Sequence, residues 1–355
     1  MYHLTYLEAA VVGLVQGVSE LFPVSSLGHN VLIPALIGGS WARDLNVAKS
    51  ESPYLAFIVG LHVATAVALI IYFWRDWLRI IRGFFTSLGH LVRPAAGTSR
   101  WQLRSADEPL AWMIILATIP VGIVGLVFEH AFRVIFGKAV YAAVFLVVNG
   151  LILLAGEYYV RHRAARVSAA GQPGGAQNGL AGRDVVADRE LALAGAGPVP
   201  AAGGAGGSGH QAVRAQEVAE AQESDLRLSG MGYGGAVLIG SAQILALLAG
   251  ISRSGVTMTS GMLRGLSRED AARFAFLLAT PVILAAGVLK VPDLTGPLGH
   301  GIQGQVLLGS VLSGVGAYVS VRYLVRYFQT RTLTPFGIYC LIVGLGSIIY
   351  LKLVK

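Results

Sequence analysis

Charge is what this sequence has least of. Only 13% of its 355 residues are Asp, Glu, Lys or Arg, against about 25% in a soluble domain. Apolar residues make up 54% and mean hydropathy is +0.64. An ordinary soluble enzyme is thereby excluded, and so is a nucleic-acid binder, despite a formal net charge of +8. Cysteine is nearly missing as well. Cys340 stands alone inside an apolar run, so no intramolecular disulfide can form and the redox compartment is not readable. The first residues carry no basic stretch and no small-x-small cleavage site, so no removable signal peptide is expected. Short alternating segments are lacking too, which excludes a transmembrane β-barrel. What is present is a series of continuous apolar runs of about 20 residues, the length that crosses a ~30 Å hydrocarbon layer. The expected fold class is an all-α polytopic membrane protein.

Six segments read as full spans: 54–74, 109–128, 139–159, 273–289, 305–327 and 335–353. Two further apolar regions, 3–37 and 231–266, are interrupted. The first is broken by Glu20, Pro23, Ser25, Ser26, Gly28 and His29, the second by Gln243, Gly250, Ser252, Arg253, Ser254 and Gly255. Each has two short apolar arms around a polar, glycine-containing centre, the pattern of a re-entrant helical hairpin whose tip is buried in protein or lines a wet cavity. Between them, 162–230 is rich in Gly and Ala, includes the run 201–209, and predicts a flexible linker with no core to fix helical turns near Val213–Leu228. The expected organisation is a first repeat over 1–161, the linker, and a second repeat over 231–355. Nineteen of the 27 Lys and Arg residues fall in the connections 75–104, 161–230, 264–273 and 322–331. Basic connections stay cytoplasmic, so that side, linker included, is expected to be cytoplasmic.

The two broken regions share four identities at a constant offset of 227: Gly13 with Gly240, Gln16 with Gln243, Ser25 with Ser252 and Gly28 with Gly255. Each hairpin is followed by three spans, and with the basic connections inside, the hairpins enter from opposite sides. This predicts an inverted repeat with a binding site where the broken helices meet. A half-helix begins with unpaired N–H groups and partial positive charge, which suits an anion.

Gln16 and Glu20 are four residues apart and share a helix face. The second hairpin offers three hydroxyls (Ser252, Ser254, Thr257), the Arg253 guanidinium and the amides beside Gly250, a phosphate cradle in chemistry. Ionisable groups at membrane depth are costly and mark function. His62, single and mid-span, reads as a packing residue. Ser310, Ser313 and Ser320 read as hydroxyls bonded to their own helix. Arg75, Arg79 and Arg82 read as a solvated face beside anionic headgroups.

Two stretches bear a family likeness. Gln16-Gly-Val-Ser-Glu20-Leu-Phe-Pro-Val-Ser-Ser-Leu-Gly-His29 resembles the first signature of the undecaprenyl-diphosphate phosphatase (bacitracin-resistance protein) family, and Ala249-Gly-Ile-Ser-Arg-Ser-Gly-Val-Thr257 resembles its second. Ala249 stands where the family usually has Pro, and Leu27 where it usually has Thr. Gln16 takes the neutral option at a position often occupied by Glu. The resemblance implies an integral membrane phosphatase that hydrolyses undecaprenyl diphosphate at the outer face of the bacterial cytoplasmic membrane. It would recycle the lipid carrier for peptidoglycan synthesis and confer bacitracin resistance. It implies catalytic roles for Glu20, Ser26, His29 and Arg253, and phosphate binding by Ser25, Gly250, Ser252, Arg253, Ser254 and Thr257. It also implies a divalent cation, Mg²⁺ or Ca²⁺, at Glu20 and Gln16, since a carboxylate and a carboxamide suit a hard ion. Either Ser26, with His29 as base, or a water is the nucleophile. The partners implied are the polyprenyl lipid and the bilayer, with a homo-oligomer left open. A transporter or flippase with the same inverted repeat is the competing expectation.

Overall fold

The computed structural model describes residues 4–46, 53–92, 105–136, 138–170, 223–296 and 301–353. The centre of the expected linker, 171–222, lies outside the described residues, as does 93–104 in the first basic connection. All elements among the described residues are helical. In chain order they are α1 (Tyr6–Ser19), α2 (Ser26–Ile37), α3 (Gly39–Asp44), α4 (Pro53–Tyr72), α5 (Trp74–Val92), α6 (Asp107–Phe136) and α7 (Ala139–Ala170). Then follow α8 (Glu223–Ser229), α9 (Tyr233–Ala242), a 3₁₀ turn (Gln243–Leu247), α10 (Arg253–Leu263), α11 (Arg268–Thr295), α12 (Gln303–Thr330) and α13 (Thr334–Leu353). The two stretches Met1–Val160 and Gln222–Lys355 make one compact unit, and Arg161–Ala221 a second.

Among the described residues five helices (α6, α7, α11, α12 and α13) are long and apolar enough to cross a membrane. Two bent pairs bring the number to as many as seven: α4 turns through 84° into α5, and α8 through 92° into α9. The expected first span is therefore the straight part of a bent pair. α1 and α2 are shorter apolar helices, as expected of hairpin arms. α1 opens on a capping box: Thr5 Oγ1 accepts from the Glu8 amide at 3.2 Å, and Glu8 Oε2 accepts from the Thr5 amide at 2.8 Å. Two orphan donors of the first turn are satisfied reciprocally.

Small residues decide how the arms pack. Gly13 and Gly17 of α1 lie against Gly309 and Ser313 of α12. A Cβ on Gly13 would fall 2.5 Å from the Gly309 carbonyl, and one on Gly17 would collide with the Ser313 carbonyl. Gly240 of α9 lies equally close on Ala117 of α6. In lipid, where helices gain little hydrophobic free energy by meeting, such backbone approach supplies the packing. So the first arm of each hairpin rests on a long helix from the other end of the chain. Ser313, expected to bond its own helix, instead donates to the Leu61 carbonyl of α4 at 3.2 Å.

Both described ends of the expected linker depart from expectation: 162–170 continues α7, and the other end is packed. Residues 223–229 are helical and packed rather than flexible. Ser224 donates to Asp270 at 2.7 Å, Asp225 is paired with Arg79 at 2.7 Å and Arg273 at 2.6 Å, and Leu228 is fully buried. The partners come from α5 and α11, so the composition of the segment itself could not reveal them. Arg79 likewise leaves the expected solvated face and is held among Asp76, Asp107 and Asp225.

The glycine crossing gives a test. Gly17→Val should lower the thermal unfolding midpoint in detergent, by an overpacking cost of about 1–3 kcal/mol. Gly122→Ala, at a position with open space around it, should leave the midpoint unchanged. Equal midpoints for both variants would contradict the α1–α12 contact.

Candidate active site

The helix α1 ends at Ser19, and Pro23 bars its continuation because the residue before a proline disfavours the helical conformation. The chain re-enters helix at Ser26. Its N-cap, Ser25, has φ 69°, the single positive φ on a non-glycine among the described residues. Such a backbone state costs on the order of 1–3 kcal/mol and persists only where the surroundings enforce it. Here Ser25 Oγ accepts from two amides at 3.2 Å, Gly28 of its own helix and Gly250 of the other hairpin. A Cβ on Gly28 would sit 2.9 Å from the Gly250 Cα, and Gly250 itself has φ +113°. Glycine is needed at both places for the tips to touch.

The second tip is built alike. Ser252 caps α10 by accepting from the Gly255 amide at 3.2 Å, and its Oγ lies 3.0 Å from Ser254 Oγ. Ser254 also donates weakly to the Phe22 carbonyl of the first tip at 3.4 Å. Asn149 of α7, fully buried, straps the two breaks together. Its Nδ2 donates to the Pro23 carbonyl and its Oδ1 accepts from the Ser252 amide, both at 3.0 Å.

Glu20 is the hub. Its Oε1 accepts from Arg253 Nη2, a salt bridge that joins the two hairpins. Its Oε2 accepts from Ser26 Oγ and from Gln16 Nε2 at 2.8 Å, with His62 Nε2 3.3 Å away. Arg253 spends its other terminal nitrogen on the Ala279 carbonyl at 3.1 Å. Gln16, Glu20, Ser26 and Arg253 thus meet, as their chemistry predicts. The Gln16 carbonyl oxygen takes a hydrogen bond from Asn30 at 2.6 Å.

Three other expected site residues are engaged elsewhere. Both nitrogens of His29 have partners: Nδ1 donates to the Ser25 carbonyl at 2.7 Å, and Nε2 accepts from Tyr339 at 2.8 Å. The side chain that Ser26 meets is therefore Glu20 and not His29. The reason is local: three residues along α2, His29 turns back to the cap and out to α13. Thr257 donates to the Arg253 carbonyl one turn back at 2.7 Å, and Ser25 is taken up by its two amides.

Among the described residues no three His, Cys, Asp or Glu side chains are close enough to form a metal cage. A hard cation does not require one when the substrate brings phosphate oxygens. Mg²⁺ is commonly held by one or two carboxylates plus those oxygens, and the buried Glu20 carboxylate fits that donor set; Gln16 turns its Nε2 to Glu20 and its carbonyl oxygen to Asn30, so it would ligate only after its amide turned over.

The chain matches the model of a family described as bacitracin resistance protein BacA, over residues 9–181 and 208–346. It belongs to this family. Over 351 residues it is 54% identical to an undecaprenyl-diphosphatase of Mycolicibacterium paratuberculosis, covering 99% of both chains. It is 52% identical to undecaprenyl-diphosphatase 2 of Frankia alni, covering 97% of both. With undecaprenyl-diphosphatase 2 of Chromobacterium violaceum it shares 35% identity, over 97% of this chain and 98% of that one.

Sequence reasoning missed four members of the cluster. His62, read as packing, has Nδ1 fixed on the Ile58 carbonyl at 2.9 Å and turns Nε2 to Glu20. The signal was there, an ionisable group in mid-span. Asn149 carried the same kind of signal, a lone amide within a span. Asn30 and Tyr339 gave none, since their roles depend on how helices far apart in sequence meet.

Replacing Asn149 by Ala leaves the Ser252 amide and the Pro23 carbonyl buried without it. Each such loss costs about 1–3 kcal/mol, so the unfolding midpoint should fall clearly. An unchanged midpoint would show that the strap carries no load.

Proposed function

We propose that this chain is an undecaprenyl-diphosphatase: an integral membrane phosphatase that splits undecaprenyl diphosphate into undecaprenyl phosphate and inorganic phosphate. The observation that carries the reading is Glu20, held between Ser26 and Arg253, each the first residue of a buried half-helix. This is joined by 54% identity to relatives of that name over nearly the whole chain. Recycling of the lipid carrier for peptidoglycan synthesis and resistance to bacitracin follow from the activity.

In this mechanism the diphosphate enters between the two half-helix N-termini. By position, their first amides lack helical acceptors and can face its oxygens. Arg253 moves from Glu20 to the phosphates, where its planar fork matches two oxygens. Glu20 Oε2 already accepts the Ser26 hydroxyl, so it takes that proton as Ser26 Oγ attacks the terminal phosphorus. The bond from that phosphorus to the bridging oxygen breaks, and undecaprenyl phosphate leaves. Water then hydrolyses the phosphoserine, releasing inorganic phosphate and restoring Ser26. His62 and Gln16 hold the carboxylate in place. Ser252, Ser254 and Thr257 shape the second tip around Arg253, and His29 with Ser25 stabilises the first. A divalent cation held by Glu20, and by Gln16 if its amide turned its oxygen inward, would neutralise charge on the diphosphate; phosphoryl transfer depends chiefly on such positioning and neutralisation.

The six spans and two hairpins are read as an inverted repeat. Support comes from the offset pairs: Ser25 and Ser252 are both N-caps that accept from Gly28 and Gly255, and Gly13 and Gly240 both mark close crossings with a distant helix. The basic connections are assigned to the cytoplasm and the site to the outer face. The same architecture serves transporters, so product formation is the deciding measurement.

Purified protein in detergent should release inorganic phosphate from undecaprenyl and farnesyl diphosphate, and EDTA should abolish release until Mg²⁺ or Ca²⁺ is returned. Binding without release would support a carrier instead. Ser26→Ala should remove turnover and the phosphoserine trapped from wild-type protein. Full turnover by Ser26→Ala would assign attack to water. Arg253→Lys should cost roughly 100-fold or more in kcat/KM, because a point charge cannot replace the fork. His62→Ala should lower kcat roughly 10–100-fold, the usual effect of losing a partner that orients a ligand, and His62→Gln should recover much of it.

A further inference from the structure

The helix α5 has a face that the phosphatase reading does not use. It leaves α4 at 84°, so where α4 crosses the membrane α5 runs close to the membrane plane. Trp74, Leu78, Ile81 and Phe85 are 45–65% exposed. At about 100° per residue these four positions fall on one stripe. The opposite face is packed: Ile80 and Ser87 are buried, Ser87 Oγ accepts from Trp112 Nε1 of α6 at 3.0 Å, and a Cβ on Gly83 would lie 2.8 Å from the backbone of Asp107. Only one face of α5 is therefore covered by protein.

The charges are arranged to match. Arg75 and Arg82, seven residues apart, flank the exposed stripe, and the Arg75 guanidinium lies 5.3 Å from the Trp74 ring centroid. The one acidic residue of α5, Asp76, is turned inward to Arg79 at 2.6 Å and Arg273 at 2.7 Å. The outer surface of the helix is thus apolar with a basic flank and no carboxylate. Tryptophan at the headgroup level, an apolar stripe below and arginines beside it are the marks of a helix lying in the interface.

We propose that α5 is an interfacial anchor: its stripe from Trp74 to Phe85 inserts at the boundary of headgroups and acyl chains, and Arg75 and Arg82 bind the phosphates of anionic phospholipids. Aliphatic chains cover the stripe, and the arginines add a preference for negative headgroups worth roughly fivefold each, the equivalent of about 1 kcal/mol.

The test uses the full chain in nanodiscs of phosphatidylcholine with or without phosphatidylglycerol. Nitroxides are placed by Leu78→Cys, Phe85→Cys and Thr86→Cys; native Cys340 is buried, and an unmutated sample gives its background. Labels at 78 and 85 should be relaxed by oxygen and shielded from a water-soluble nickel chelate, with the reverse at 86. Chelate access at 78 and 85 equal to that at 86 would overturn the proposal. So would spin–spin broadening at 78, which would mean that a second copy covers the stripe. Phosphatidylglycerol should raise the unfolding midpoint of the wild-type protein, and Arg75→Gln with Arg82→Gln should lose most of that rise. A rise of full size in the double variant would overturn the headgroup assignment.

Discussion

A single ion pair organises this protein. Glu20 and Arg253 are 233 residues apart and meet at the tips of two broken helices, inside a molecule that is only 13% charged. Either charge alone at that depth would cost several kcal/mol to desolvate, on the order of what breaking a buried pair costs. Together they make membrane-depth breaks tolerable, provided that their remaining hydrogen-bonding capacity is met. The structure meets it on both sides. Arg253 has the Ala279 carbonyl, and Glu20 has Gln16, Ser26 and His62. The glycine crossings, the Ser25 bridge and the Asn149 strap then read as devices that keep two tips close enough for the pair to form.

A pair so placed is also poised to change partners. Its cation is the group that an incoming diphosphate would seek, and its anion already accepts from the hydroxyl of Ser26, the first residue of α2. On the proposed mechanism, removing the arginine from Glu20 would leave the carboxylate an unpaired oxygen at the moment a proton needs a destination. The buried pair would then link arrival of an anion to basicity beside Ser26 with no change of fold. That would explain why the first residue of each half-helix, Ser26 and Arg253, points at the same carboxylate.

Much of this was legible in the sequence, and the limit of legibility has a physical form. Apolar run length identified the five straight spans, since the bilayer sets it, but not the bends that make α4–α5 and α8–α9 bent pairs. Glu20, Ser26 and Arg253 stood out because polar groups are scarce where they sit. Gln16 followed from Glu20 by helical spacing. The pairing of Ser26 with Glu20 rather than His29 did not follow, because the direction a side chain takes from a helix start depends on the cap, and the Ser25 cap has an uncommon backbone. His62 was legible as an anomaly but not as a neighbour of Glu20: α4 and the first hairpin are brought together by packing that no local pattern encodes. The segment 223–229 failed for the same reason. Its aspartate and leucine look like linker residues until Arg79, Arg273 and the α11 surface are in place around them.

The positions that match at an offset of 227 show why a weak sequence signal can mark a strong constraint. Four identities at one offset among common residues count for little by number. Yet Ser25 and Ser252 each cap a half-helix through the amide three residues on, and that amide is a glycine in both cases. A serine cap works elsewhere without glycine. At these tips the glycines are needed because Gly28 lies against Gly250, and Gly255 is hemmed by Pro23 and Leu153. Of the four matched pairs, Ser25 and Gly28 lie where one tip touches the other, whereas Gly13 and Gly240 mark crossings with α12 and α6 and Gln243 bonds the Gly240 carbonyl three residues back, so the four identities do not share one structural cause.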